Sequence, residues 1–473
     1  MRGPAEHDLM THNGSIEHRM CHTCGRSRST TGLPSHRSRQ KEQATVQDLI
    51  DARALADQHT VEELAAKADG LVRSMADTTA LLAKPCSTFR EAPDVLTCFG
   101  MLLGALGAVP GMTVLDFGAG SCWTSHFLTQ LGCRVIAMDV SEAMLELGRR
   151  RFDQQPTFGE RPEPTFSHFD GHTMDLADAS VDRIVCFDAL HHVPNQAEVL
   201  AEMGRVLRPG GVAAFSEPGP KHSQDPQSQH EMRRYSVPEL DLVIEDVWRW
   251  AQQAGFADLS VGVFSPAPQW VPLQTFEAFL AAAVDPGPRL PGRLRQLVRV
   301  ASIVRSPGSA RAMAAQVLHV RGVLQNRRMF VMHKAGQEVP DSREATGLSA
   351  ELTVTGVTIE RHDGTVTVAG ICRARNTGRN RWLPLSAGQG AVLVGLRLGS
   401  GDRPADDHGR APLPGDMVVT PGDTVEVPFR TAVPAVRPGD PPLRLEVDLV
   451  AEGIAWFAEI RGHPHEIWID AGT

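Results

Sequence analysis

The stretch Val114 to Trp123, VLDFGAGSCW, decides the fold. An apolar run enters Asp116, turns on Gly118 and Gly120, and passes into a helical pattern at Trp123. Glycines let a main chain come close to a ligand, and the helix behind them offers unpaired N–H groups. A lone Gly-x-Gly turn is common, but Asp139 closes the next apolar run, RVIAMDV, nineteen residues beyond Gly120. A carboxylate at that place can accept both hydroxyls of a ribose.

Outward from the turn, MTVLDFG, RVIAMDV, RIVCFDAL and GVAAFSEP alternate with helical segments over 112–218. That alternation, with continuous apolar strands, predicts a parallel sheet buried on both faces. Residues 45–83 carry helical spacing and are expected to cover the sheet, while 1–45 read as a flexible extension. Beyond the sheet, Ser236 to Ala254 reads as an amphipathic helix opened by a serine cap and ended by Gly255. LSVGVFS at 259–265 and RRMFVMHK at 327–334 read as two further strands. The segment 265–326 between them reads as a mainly helical insertion, a lid or binding surface. From Leu348 onward, short alternating runs divided by turn residues predict an all-β sandwich over 348–473, joined by the polar linker 335–347.

The turn must be assigned to a cofactor class. A dinucleotide fingerprint needs a third glycine where this chain has Trp123, which counts against a nicotinamide oxidoreductase. Asp116 would repel a pyrophosphate and suits a cofactor bearing an ammonium group and a sulfonium. DFGAG at 116–120, Asp139, FDG at 169–171, LHHVPN at 190–195 and LRPGG at 207–211 follow one another in an order that resembles the class I S-adenosylmethionine-dependent methyltransferases, closest to the branch called type 11. The resemblance covers roughly residues 95–335. It implies an α/β fold, a Rossmann-like sheet (core 95–220 within a domain 46–340) carrying the helical insertion, with the sandwich as a separate domain. It also implies S-adenosyl-L-methionine as cofactor. Asp116, Phe117, Gly118, Ala119 and Gly120 would hold its methionine end, Asp139 with Val140 its ribose, and Asp170 with Gly171 its adenine edge. Asp188 would line the methyl-transfer side. The family's turn usually has a third glycine where this chain has Cys122.

Methyl transfer to a hydroxyl benefits from a base near neutral pKa. The candidates are His191, His192, Glu217 and His222, the last two in SEPGPKHS after the fifth strand, where ligands gather in such sheets. The sandwich marks NTGRNRWLP and DLVAEGIAWF resemble segments of immunoglobulin-like modules on bacterial polysaccharide-assembly proteins. Trp382 and Trp456 are then either sugar-stacking rings or core residues. The acceptor is expected to be a small molecule, a glycan or a glycolipid. A cofactor-binding scaffold without turnover stays open beside the enzyme.

Composition narrows the partners. With 47 basic against 56 acidic residues, net charge −9, the chain as a whole offers no basic field for nucleic acid. No stretch approaches the ~20 apolar residues of a membrane span, and no secretory signal is read at the start, so the cytoplasm is expected. Eight cysteines, several inside apolar runs, are not a disulfide framework. Cys21 and Cys24 form a Cys-x-x-Cys, but no second pair at metal-site spacing follows, and no metal is assigned to the methyl-transfer site.

Overall fold

A computed structural model describes residues 49–262 and 327–472, apart from 160, 363, 402 and 461. The extension 1–45 with Cys21 and Cys24, and the insertion 265–326, lie outside the described residues.

Helices α1 (Ala52–Ala56), α2 (Val61–Ser74) and α3 (Thr79–Leu82) precede α4 (Ala92–Leu106) and the first strand. Strands β1 (Thr113–Phe117), β2 (Arg134–Asp139), β3 (Thr165–His168), β4 (Val181–Phe187), β5 (Leu207–Pro218), β6 (Phe256–Val261) and β7 (Arg327–Lys334) form one sheet in the order β3-β2-β1-β4-β5-β7-β6. The first five run parallel, whereas β7 lies antiparallel between β5 and β6. Strand alternation sends successive side chains to opposite faces. Leu115, Ile184, Phe215 and Phe330 accordingly pack in one core, and Val114, Val185, Ala214 and Met329 in the other. The chain steps outward from β1 to β3, then restarts at β4 on the other side of β1. That reversal opens a crevice at the strands' carboxyl ends, the place where doubly wound sheets bind ligands.

Helices α5 (Trp123–Gln130), α6 (Glu142–Gln154) and α7 (Gln196–Val206) make the crossovers. The Ser236 cap is corrected. Helix α8 (Pro226–Tyr235) ends at Ser236, whose φ of +54° and N–H bond to the Met232 carbonyl make it a C-cap. The chain then runs extended, with the Leu240 N–H on the His191 carbonyl, before α9 (Ile244–Gln253) and Gly255. Pro238 disfavours a helical conformation at Val237, which the amphipathic pattern concealed.

The C-terminal part is all-β. Strands β8 (Ala350–His362), β9 (Thr365–Asn376) and β12 (Thr424–Pro434) form one antiparallel sheet. Strands β10 (Val392–Ser400), β11 (Asp406–Pro412), β13 (Leu443–Ala451), β14 (Ala455–Trp456) and β15 (His465–Ile469) form the other. Trp382 is fully buried in the core between them. The half-buried Trp456 ring carries the Arg397 and Arg410 guanidinium groups at 4.5 and 4.7 Å. Neither ring presents an open face to a sugar.

Nor does 335–347 behave as a free tether: Asp341 and Ser342 are buried, and Asn380 donates to the carbonyls of Asp341, Glu344 and Thr346. The sandwich packs on the α/β sheet. Leu383 joins the core of Val114 and Val185, and Arg381 meets the buried Asp182 at 3.4 Å.

Cys122, at the third-glycine position, adopts φ +56° and ψ +34°, the left-handed conformation that favours glycine. Its side chain occupies the space that a Cβ on Gly148 would take, 2.3 Å from Sγ. The missing glycine is thus complemented across the helix contact. Gly148→Ala is expected to cost about 1–3 kcal/mol through overpacking, although alanine favours a helix. Adding Cys122→Gly should recover most of that loss, and additive urea-unfolding free energies across the double-mutant cycle would contradict the packing.

Candidate functional site

The carboxyl ends of β1, β2 and β4 open into a cavity of about 370 Å³ roofed by α2 and α3. Val61, Leu64, Leu71 and Val72 of α2 and Leu81 of α3 line it, so the helices expected as a cover do face the crevice. Polar contacts fasten this roof. Asp69 accepts from the Ser141 hydroxyl and the Ala143 N–H at the head of α6. The buried Arg151 donates to the Leu81, Lys84 and Ser121 carbonyls.

Phe117, Gly118, Ala119, Gly120, Asp139, Val140, Gly171 and Asp188 all line the cavity. Gly118 has φ +68°, and a Cβ there would lie 2.2 Å from that of Ala189, so the turn and the loop after β4 touch only because the side chain is absent. Asp139 takes the Gly120 N–H on Oδ2 and the Ser141 N–H on Oδ1, each at 2.8 Å. Each oxygen keeps a lone-pair site for a ribose hydroxyl.

Two expected cofactor residues do not reach the cavity. Asp116 is 1% exposed and lies behind the turn, where it accepts the Thr124 and Ser125 hydroxyls at the start of α5. Burial pushes its carboxyl up to about 6. Asp170 is exposed and caps its own loop, accepting the His172 and Thr173 N–H groups, which hold its carboxyl below the usual range.

Asn195 lines the wall beside Gly171, donating to the Gly171 carbonyl and Glu198. Its buried Oδ1 has no partner among the described residues. An orphaned acceptor suits an exocyclic amine such as that of adenine. Among the described residues the lining carries Glu91, Asp139, Asp188 and Glu231 against one Lys or Arg, Lys84. That balance suits a sulfonium and disfavours a pyrophosphate. The observed donor set therefore fits S-adenosylmethionine.

The four proposed bases divide. His192 lines the cavity, and its Nδ1 lies 3.0 Å from the Pro238 carbonyl, so that nitrogen carries the proton. Burial and the neighbouring His191 push its pKa down to about 4. His191, Glu217 and His222 stand outside the lining. Glu217 is fully buried and already accepts the Ala189 and Leu190 N–H groups and, at 2.8 Å, His191 Nδ1–H. Its reach is spent on the loop after β4, a positioning role. Burial works against charge on His191, but its bond to Glu217 prevails and raises its pKa, while the same bond keeps Glu217 low. His222 Nε2 bonds Glu239 at 2.7 Å.

Sequence reasoning missed Asn195, Glu239, Tyr235 and Arg327. Tyr235, the chain's single tyrosine, lines the cavity with Val237 and Pro238. Arg327, at the head of β7, pairs with Asp188 at 2.7 and 3.3 Å. No local motif marks an arginine 139 residues from its partner.

The buried Asp116 generates a pH dependence. Its pKa is raised on folding, so its contribution to stability is complete below about pH 4 and is lost as pH rises through about 6. Asp116→Asn keeps an acceptor for both hydroxyls and removes the buried charge. The variant should be more stable than the parent at pH 7.5, by up to about 3 kcal/mol, with the gap closing toward pH 4. A gap that stays constant across thermal melts in this range would refute the assignment.

The geometry agrees with comparisons to known proteins. Residues 115–215 match the family model described as "Methyltransferase domain". A demethylmenaquinone methyltransferase of Renibacterium salmoninarum is 38% identical over 121 residues, 25% of this chain and 47% of that protein. A ubiquinone biosynthesis O-methyltransferase of Hahella chejuensis is 32% identical over 112 residues, 23% and 44% of the two chains. The chain thus spans under half the length of these relatives. Among solved structures, Haemonchus contortus phosphoethanolamine N-methyltransferase 2 aligns with TM-score 0.37 and 17% identity, over 59% of this chain and 61% of that one. Residues 115–215 are accordingly similar to methyltransferase domains.

Proposed function

We propose that the chain methylates a hydroxyl on a small, flat acceptor, using S-adenosylmethionine. The observation that carries this reading is a single cavity, lined by described residues, that brings the candidate cofactor groups and a second set of polar groups together. Sheet order sets the layout: Gly171 and Asp139 belong to the β3 and β2 side, Gly118 and Gly120 to the centre, and Asp188 and His192 to the β4 side. The cofactor, when bound, supplies a methyl group already activated by a sulfonium. This chain's residues bind, align and exclude water. Alignment of reacting groups alone is worth several kcal/mol, up to roughly 7–11 in intramolecular models.

The acceptor end is bounded by Trp123, Phe187, Tyr235 and Pro238, with His192 among them. Aromatic walls suit a flat ring, and the imidazole and phenol can hold its hydroxyl. The names of the two curated relatives both concern quinones, which supports a flat ring as acceptor, and that of the ubiquinone relative, an O-methyltransferase, supports a hydroxyl on it. Trp382 and Trp456 give no support to a glycan or glycolipid, since one is core and the other is covered by arginines. The acid-rich lining argues against the nicotinamide alternative.

Two measurements test the reading. In calorimetry, S-adenosylhomocysteine should bind and NADH should not. Asn195→Ala should weaken the former about three- to ten-fold, the worth of one neutral hydrogen bond. NADH binding without S-adenosylhomocysteine binding would overturn the cofactor assignment. Incubation with methyl-labelled S-adenosylmethionine and separate panels of catechols and quinols, amines and glycolipids should label the first panel. Labelling of amines or glycolipids alone would overturn the acceptor class, and release of no S-adenosylhomocysteine with any panel would favour a scaffold.

A further inference from the structure

Behind the acceptor wall, three imidazoles and two buried carboxylates converge: His191, His192, His222, Glu217 and Glu239. Glu239 is 2% exposed, and its Oε1 has no hydrogen-bond partner among the described residues. Its other oxygen takes the His222 Nε2–H at 2.7 Å. His191 gives Nδ1 to Glu217 and so turns its Nε2 toward Glu239, 3.7 Å from Oε2. His192 Nδ1 stands 3.6 Å from the orphaned Oε1. One nitrogen or oxygen of each of His191, His192 and Glu239 lies within 4.8 Å of the others.

These separations are too long for hydrogen bonds and too short for indifference. Two N or O ligands held about 2.0–2.1 Å from one tetrahedral ion stand roughly 3.3 Å apart. We propose that His191, His192 and Glu239 form a site for a divalent transition-metal cation, with one position open toward the cavity that His192 lines. The outer shell is already in place. Glu217 on His191 Nδ1 reproduces the carboxylate–histidine–metal arrangement that fixes a ligand's tautomer, and His222 orients Glu239 in the same way. His192 would move its proton from Nδ1 to Nε2, give up the Pro238 carbonyl and offer the freed Nδ1 lone pair to the ion. Two imidazoles and one carboxylate suit Zn²⁺, Co²⁺ or Fe²⁺ better than Mg²⁺ or Ca²⁺, which prefer all-oxygen sets.

The consequence for chemistry rests on the methyl-transfer reading. An ion at that place would hold the acceptor's hydroxyl oxygen and favour its deprotonation, the role for which His192 alone is a weak base. The metal site itself stands apart from turnover and is tested apart from it.

The full chain, carrying Cys21→Ser and Cys24→Ser to remove the competing thiols, is stripped with chelator and titrated with Co²⁺. Visible d–d absorption should saturate at one equivalent, and Zn²⁺ should displace it. Glu239→Gln and His192→Ala should each weaken Co²⁺ binding by at least ten-fold, and Glu217→Gln by about 10–100-fold as an outer-shell change. Unchanged circular dichroism and a cooperative thermal unfolding transition serve as the folding controls. No saturable band in the folded parent, or a band indifferent to both Glu239→Gln and His192→Ala, would overturn the site. Stoichiometric Co²⁺ binding in a chain that methylates nothing would support the metal site while refuting the methyl-transfer reading. Turnover that survives complete metal removal would leave that reading intact and refute the metal's part in it.

Discussion

Everything around the cavity depends on the carboxylate of Asp139 holding two backbone N–H groups from two different segments. By accepting from Gly120 it ties the glycine turn after β1 to the end of β2, and by accepting from Ser141 it sets the entry into α6. Ser141 and Ala143 in turn engage Asp69, so the roof helix α2 is registered against the same strand end. One half-buried acid therefore fixes the floor, one wall and the roof of the site.

A second acid, Glu217, does the same on the other side. Its oxygens gather the backbone of Ala189 and Leu190 and the ring of His191, which holds the loop after β4 against the turn at Gly118. Asp188 at φ +51° is kept in its left-handed conformation by the same loop and by Arg327. Strained backbone and a half-buried ion pair at one spot are the marks of a site built for function rather than for stability.

The sheet was legible because its strands are uninterrupted apolar runs and its turns carry glycine; the cover was legible from its helical spacing. Cys122 could be flagged as a departure, but the compensating Gly148 belongs to another helix and only the packing links them. The acids expected around the cofactor do not all share one surface. Asp116 looked like a ligand group and supports α5, because the last strand residues alternate between cavity and interior. Asp170 looked like an adenine contact and caps its own loop, while Asn195, a neighbour only in space, has the orphaned oxygen. Glu239 was hidden in a segment that resembled a helix start. Long-range partners such as Arg327 leave no local trace.

The most direct test of the account is a crystal structure of the chain with S-adenosylhomocysteine. The account predicts both ribose hydroxyls on Asp139, the adenine amine on Asn195 Oδ1 and the sulfur directed toward Asp188 and His192. A ligand seated elsewhere, or one in this cavity with its ribose away from Asp139, would contradict it.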